Sequence, residues 1–213
     1  ELTEASTRRI QPRCRHFTIC GGCHYQHMDM PSQLEAKTAI IREQLARLGG
    51  LDDPPVQESV PSPAAWHYRN QVQLHLSPEG RLGFKASRSG RVVPIEECHL
   101  PDPELLECWM RLESTGWHGA EPLVLRRGTE GRTLASGMEP GSSEVALRFD
   151  LPGGRFRVSA GSFFQVNTSL ADRLAQEVMR LLESLLPQAG RRATVLDLYC
   201  GVGLFSLYAA SRV

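Results

Sequence analysis

The apolar residues of the chain fall at two spacings, and each spacing predicts its own element. Between Ser32 and Leu48, the residues Leu34, Ile41, Leu45 and Leu48 recur at helical intervals, and Gly49-Gly50 closes the run. That predicts a helix with one apolar face. Arg91 to Ile95 predicts a strand, and Pro103 to Met110 a helix. The Gly-rich stretch from Leu123 to Asp150 predicts strands of a central antiparallel sheet, with Val145–Phe149 and then Phe156–Val158 the clearest. A second amphipathic helix is marked by Leu170, Leu174, Val178, Leu181, Leu182 and Leu185. Asn167 or Thr168 caps it, Asp172 lies in its first turn, and Pro187 and Gly190 end it. Last, Thr194 to Leu198 reads as a buried parallel strand. It runs into Gly201-x-Gly203 and the apolar pattern Leu204, Phe205, Leu207, Tyr208, the strand–turn–helix that opens a doubly wound α/β domain.

Composition narrows this picture. The 213 residues are 41% apolar and 23% charged with zero net charge. That is room for one domain, or a small domain plus part of another, and it excludes a disordered chain. No apolar run approaches the ~20 residues that span a bilayer. Glu1-Leu2-Thr3-Glu4 has neither basic flank nor apolar core of a signal peptide, so a cytoplasmic setting is expected. The chain does not begin with Met, and Tyr208 to Val213 stops inside an apolar helical pattern, so a piece of a longer protein is expected.

The neutral total hides an uneven charge distribution. Arg8, Arg9, Arg13 and Arg15 share residues 8–27 with no acid, and Arg69, Arg81, Lys85, Arg88 and Arg91 face only Glu79 across residues 66–91. Residues 93–150 reverse the balance, with 5 basic against 11 acidic side chains. Nearly every cation is Arg, whose forked donors suit phosphates and base edges. A nucleic-acid surface and an ordinary solvated surface both fit.

The cysteines carry the sharper signal. Cys14-x5-Cys20-x2-Cys23 puts three thiols on one loop, with Gly21-Gly22 freeing the backbone between the last two. Disulfides explain this density poorly in a reducing compartment. Three thiolates on one loop repel unless a cation takes up their charge. A fourth ligand is then wanted, and Cys98, after the strand Arg91–Ile95 and before Pro101, sits where one is expected. Four cysteine sulfurs suit an iron–sulfur cluster or structural zinc, and His16, His24, His27 and His99 could complete a mixed zinc site. The x5/x2 spacing differs from that of radical enzymes that cleave S-adenosylmethionine. Unligated thiols stay open as well. Cys108, in the Pro103–Met110 helix, reads as a small buried apolar residue.

The glycine turn is weaker evidence by itself. The dinucleotide fingerprint asks for a third glycine where Ser206 stands. Asp197 instead places an acid at the strand end, which suits the amino-acid portion of S-adenosylmethionine better than a pyrophosphate. Another nucleotide-binding fold and a plain structural turn are the alternatives.

Taken in order, these segments resemble the RNA uracil-5-methyltransferase family, in its branch that carries an iron–sulfur cluster and acts on ribosomal RNA. The resemblance rests on Pro12-x-Cys14-x5-Cys20-Gly21-Gly22-Cys23-x2-Gln26-His27, Gln33-Leu34-x2-Lys37, Tyr68-Arg69-Asn70, Gly83-Phe84 and Cys98-x-Leu100. Phe164-Gln165-Val166-Asn167 and Leu196-Asp197-Leu198-Tyr199-Cys200-Gly201-Val202-Gly203 complete it. It implies an α+β central domain, an antiparallel sheet with an Fe–S loop, over residues 1–31 and 51–160. That domain joins the start of a class I (Rossmann-like α/β) S-adenosylmethionine-dependent methyltransferase domain, residues 161–213, with the helix 32–50 packing on the latter.

The resemblance further implies that Cys14, Cys20, Cys23 and Cys98 hold a [4Fe–4S] cluster. Gln165, Tyr199 and Gly201 would meet S-adenosylmethionine, and Tyr68, Arg69 and Asn70 would meet RNA, with 23S rRNA the expected substrate and a monomer the expected state. The family's polar contact at the position of Leu204 is not carried over, because leucine cannot make it. In the family a cysteine thiolate adds to C6 of uracil, so that C5 can attack the sulfonium methyl, and a base then removes the C5 proton. Both groups are expected beyond Val213, so the 213 residues alone are expected to be inactive; Cys200 packs the turn and is not that nucleophile. A tRNA uracil-5-methyltransferase and a non-catalytic zinc-binding RNA module are the rival readings. Residues 1–13 resemble the linker that follows a small β-barrel in many members.

Overall fold

A computed structural model describes residues 3–117, 122–137, 145–185 and 194–210. Its first half is built on an antiparallel sheet in the order β3-β2-β1-β4-β5, formed by β1 (Gln71–Leu76), β2 (Leu82–Lys85), β3 (Val92–Pro94), β4 (Leu123–Arg127) and β5 (Thr133–Gly137). Period-two alternation turns Val72 and Leu74 of β1 into the core, paired in register with Leu125 and Leu123 of β4. Helix α2 (Pro103–Thr115) covers this face with Leu105 and Trp109, and Trp109 meets Phe84 edge-on at 5.5 Å between ring centroids. Asp102 starts α2 by accepting the Glu104 N–H, and Pro103 occupies a first-turn position where no N–H is needed. Each fully buried leucine here contributes about 1.5–3 kcal/mol of transfer free energy. Cys108 packs against this core, as expected of a small apolar residue.

The second half has its own core. Strands β6 (Ala146–Leu151) and β7 (Gly154–Ser159) form a hairpin that pairs with no other strand among the described residues. The sequence placed these strands in the central sheet. Instead, their inward residues Leu147, Phe149, Phe156 and Val158 pack on α3 (Thr168–Leu185) and α4 (Leu204–Ala209). The buried face of α3 is Ala171, Ala175 and Met179, with Val178 and Leu182 beside it, while Leu174, Leu181 and Leu185 are exposed. The small alanines let the helix approach the hairpin closely, so the buried stripe is not the leucine stripe. Tyr208 of α4 locks onto α3 by donating its hydroxyl hydrogen to Asp172. The expected end of α3, Pro187 to Gly190, lies outside the described residues.

Two further expectations are corrected. Thr194–Leu198 forms no strand: it is irregular, with Leu196 and Leu198 exposed. A parallel strand takes its hydrogen bonds from neighbours on either side and buries both faces, and no neighbouring strand is present among the described residues. Helix α1 (Met30–Arg47) forms where expected, with Asp29 accepting the Ser32 N–H at 2.8 Å. Its side chains Ile41 and Leu45, with Leu48 at its end, are nevertheless exposed, whereas Ser32 and Thr38 are buried. Thr38 Oγ1 accepts the Ser59 N–H at 3.0 Å, so the helix rests on the extended segment around Ser59. No helix among the described residues is long and apolar enough to cross a membrane.

Asn70 joins the two cores. Its amide donates to the Gln165 carbonyl at 3.0 Å and to Thr168 Oγ1 at 2.9 Å, its backbone N–H donates to Val166, and its carbonyl accepts the Arg127 N–H. The β4–β5 turn adds a second link, with Thr129 N–H donating to the Arg148 carbonyl of β6. Replacing Asn70 by Ala strands a buried carbonyl and hydroxyl, and should cost about 1–3 kcal/mol. Thermal unfolding of Asn70→Ala beside the parent chain checks this; an unchanged midpoint would show that the clasp carries no stability.

Candidate functional site

The four cysteines singled out in the sequence line one cavity of about 170 Å³. The loop that brings three of them there is held by short-range hydrogen bonds. Phe17 N–H donates to the Cys14 carbonyl at 3.1 Å, and Cys20 N–H to the His16 carbonyl at 2.9 Å. Thr18 sits between them at φ 76°, a left-handed conformation that costs a β-branched residue about 1–3 kcal/mol and that the surrounding loop imposes. Gly21 donates its N–H to the Lys85 carbonyl of β2 at 3.0 Å, and a Cβ there would lie 2.9 Å from that oxygen, so only glycine permits the docking. The short bridge Cys20–Ala86 continues the contact. Gln26, buried, accepts the Cys14 N–H through Oε1 at 3.0 Å.

Cys98 approaches from the opposite wall, on the segment between β3 and α2. That segment is fixed by Arg69, whose N–H donates to Leu100 and whose carbonyl accepts the Asp102 N–H, both at 2.9 Å. Val72, Phe84, Ile95 and Leu100 supply apolar wall. Burial pushes the Cys98 thiol up to about 11, and neighbouring Cys23, Cys14 and Cys20 push it the same way. Burial also raises the Cys14 and Cys20 thiols. All six cysteines are free thiols. The mutual influence of the four sulfurs places them within electrostatic reach of one another. Among the described residues, no three His, Cys, Asp or Glu side chains converge closely enough to hold a single metal ion.

The glycine turn is a separate place. Tyr199 at φ 59°, Gly201 at φ 59° and Gly203 at φ 78° wind the chain left-handed three times before α4 begins. Tyr199 is fully exposed. Asp197 spends its Oδ2 inside this turn, accepting the Ser206 N–H at 3.1 Å and the Ser206 hydroxyl at 2.6 Å. Leu204 is buried in the second core, which accounts for an apolar residue at that position. Gln165 lines a cleft with Val60, Asn167 and Arg180 that includes neither Tyr199 nor Gly201.

The three residues expected to meet RNA also separate. Asn70 is buried and its amide hydrogens are committed to Gln165 and Thr168, so its amide donors have nothing left for a nucleic acid. Arg69 lines the cysteine cavity. Tyr68 is half-buried.

The fold has a solved counterpart. The crystal structure of Pyrococcus abyssi tRNA (uracil-54, C5)-methyltransferase in complex with S-adenosyl-L-homocysteine superposes over 100% of this chain and 59% of its own, with a TM-score of 0.66 and 24% identity. An uncharacterized RNA methyltransferase of Streptomyces avermitilis is 30% identical over 100% of this chain and 57% of its own length. The 23S rRNA (uracil(1939)-C(5))-methyltransferase RlmD of Nitrosococcus oceani is 26% identical over 97% of this chain and 55% of its own. The chain is thus similar along its whole length to RNA methyltransferases, uracil-C5 enzymes among them. It spans just over half the length of these curated relatives. No protein-family model matches it.

The sequence missed the residues that act through others. Arg126 is buried and donates to Gln71 Oε1 and to the Ser159 and Ser162 carbonyls, so it fixes the loop leading to Gln165. An arginine pair closing the apolar run, Leu123-Val124-Leu125-Arg126-Arg127, was the available signal. Gln26 lay in the cysteine motif without an assigned task.

The cysteine environment predicts a reactivity order. In metal-free, reduced protein at pH 8, exposed Cys200 should alkylate first and Cys98 last, since a thiol near 11 is only about one part in a thousand thiolate there. Raising the pH to 10 should speed Cys98 roughly a hundredfold. Because the folded protein holds this proton more tightly than the unfolded chain, metal-free stability should fall as pH rises from the ordinary thiol range through about 11. Mass spectrometry of timed iodoacetamide reactions reads the order; Cys98 reacting as fast as Cys200 at pH 8 contradicts it.

Proposed function

We propose that this chain is part of an enzyme that methylates C5 of uracil in RNA, with S-adenosylmethionine as donor and 23S rRNA as the favoured substrate. The observation that carries this reading is that Cys14, Cys20, Cys23 and Cys98 line one cavity in a chain similar to RNA methyltransferases. These four thiols fit a [4Fe–4S] cluster in number, softness and apolar setting. Such a cluster, bound through four thiolates, supplies a rigid, charged core rather than an open iron site.

The chain's own residues then have distinct tasks. The Cys14–Cys23 loop and Cys98 tie the N-terminal segment to the β2 edge and to the start of α2. Gln165, Tyr199 and Gly201 are proposed to meet the donor once the sheet of the methyltransferase domain orders the run before Tyr199. Tyr68, Arg69 and Asn70 mark the central RNA-binding region, with Tyr68 and the nearby arginines offering the contact surface. The division into a central domain, residues 1–31 and 51–160, and a methyltransferase segment, residues 161–213, belongs to the same proposal, with helix 32–50 set against the methyltransferase domain. The shared core of β6–β7 with α3 and α4 favours moving the hairpin to the methyltransferase side. The nucleophile and base are proposed to lie outside residues 1–213, in a protein working as a cytoplasmic monomer.

The Pyrococcus abyssi counterpart is a tRNA enzyme, so both RNA classes belong in the assay. Anaerobically purified protein should be brown and carry roughly four iron and four sulfide per chain. Cys98→Ser should lose most of that iron. Colourless, zinc-loaded protein would favour the zinc-binding RNA module instead. Methyl transfer from labelled S-adenosylmethionine should appear on 23S rRNA with the longer protein and be absent with residues 1–213 alone. Transfer to tRNA only would move the assignment to the tRNA branch, and turnover by the 213 residues would overturn the placement of the nucleophile.

A further inference from the structure

Two arginines among the described residues, Arg69 and Arg127, bury an Nε that has no hydrogen-bond partner, and of the two Arg69 lines the cysteine cavity. Its backbone is clamped on both sides, the N–H donating to Leu100 and the carbonyl accepting from Asp102, so the side chain starts from a fixed point. The residue lines the same cavity as the four cysteines, and it is the sole Arg or Lys among the residues lining it.

Three other polar side chains of that cavity, those of Glu97, His16 and Gln26, are engaged elsewhere. Glu97 accepts the Arg15 N–H at 3.0 Å, and Arg15 Nε lies 3.6 Å from its carboxylate. His16 Nε2 accepts the Glu96 N–H at 3.2 Å, which makes that nitrogen an acceptor. Gln26 Oε1 is held by the Cys14 N–H. An unpaired buried donor costs about 1–3 kcal/mol, more when it is charged, so Nε–H is poised for an acceptor that the protein itself does not supply.

We propose that Arg69 is a positioning residue for the sulfur-ligated iron core, as its counter-charge and as a hydrogen-bond donor to one of its sulfurs. This deepens the cluster reading above and rests on it. Four thiolates around a cubane core leave net negative charge in an apolar cavity, and one guanidinium at its wall offsets part of it. A nearby positive charge favours the more negative, reduced form over the oxidised one. Its removal should therefore make the cluster harder to reduce.

The test uses anaerobically purified, iron-loaded protein in three forms: parent, Arg69→Gln and Arg69→Lys. Redox titration followed by absorbance and electron paramagnetic resonance reads the midpoint. Arg69→Gln should shift the oxidised-to-reduced ratio about tenfold toward oxidised at a given potential, roughly 59 mV for a one-electron couple, and Arg69→Lys should shift it less. Should Arg69→Gln lose its iron while Arg69→Lys keeps it, the need for positive charge is likewise supported. Equal midpoints in all three forms overturn the inference while leaving the cluster in place. So does iron loss in which lysine is no better than glutamine, or weakened RNA binding with an unmoved midpoint. A parent protein without iron fails the cluster reading itself, and is told apart by metal analysis before any titration.

Discussion

Two consecutive residues, Arg69 and Asn70, form the crossing on which the rest of the molecule is hung. Through their backbone and one amide they bind the Cys98 segment, the end of β4 and the entry to α3. Each of those partners is otherwise a loop or an element terminus with unsatisfied carbonyls or N–H groups. Burying such groups without partners is costly, so the crossing fixes where three remote stretches of sequence must meet. The cysteine cavity and the start of α3 both take their positions from it. Arg126 repeats the device one strand away, with a buried guanidinium held by a glutamine and two carbonyls rather than by a carboxylate. Burial accordingly lowers its pKa, though a guanidinium keeps its charge at any ordinary pH.

The sequence showed local features well and cross-chain tasks poorly. Helices α1, α2 and α3 were legible because capping residues and prolines act within a few positions of the elements they bound. The cysteine set was legible because metal-binding chemistry constrains residue type and spacing together, and the fourth member was placed by a turn after a strand. The expected burial of Leu174, Leu181 and Ile41 failed because a leucine stripe records apolarity, not which side meets a neighbour. On α3 the hairpin selects the side with Ala171 and Ala175, where the backbone can come close.

The failure at Thr194–Leu198 has another cause. Strand character in a parallel sheet is a property of the sheet, since the hydrogen bonds belong to pairs of segments. Val195, Leu196 and Leu198 carry the composition of such a strand without its partners among the described residues. Asn70 and Arg69 show the same dependence on surroundings. Their residue types suit RNA, but an amide or guanidinium serves equally well as an internal fastener, and only three-dimensional position separates the two uses.

That bare run has a practical side. Leu196 is 79% and Leu198 69% exposed, followed by a protruding tyrosine. Such a segment is a template for any extended polypeptide that drifts past. At high concentration this molecule invites clumping through that lip, and a charged substitution at Leu196 is the simplest gatekeeper against it.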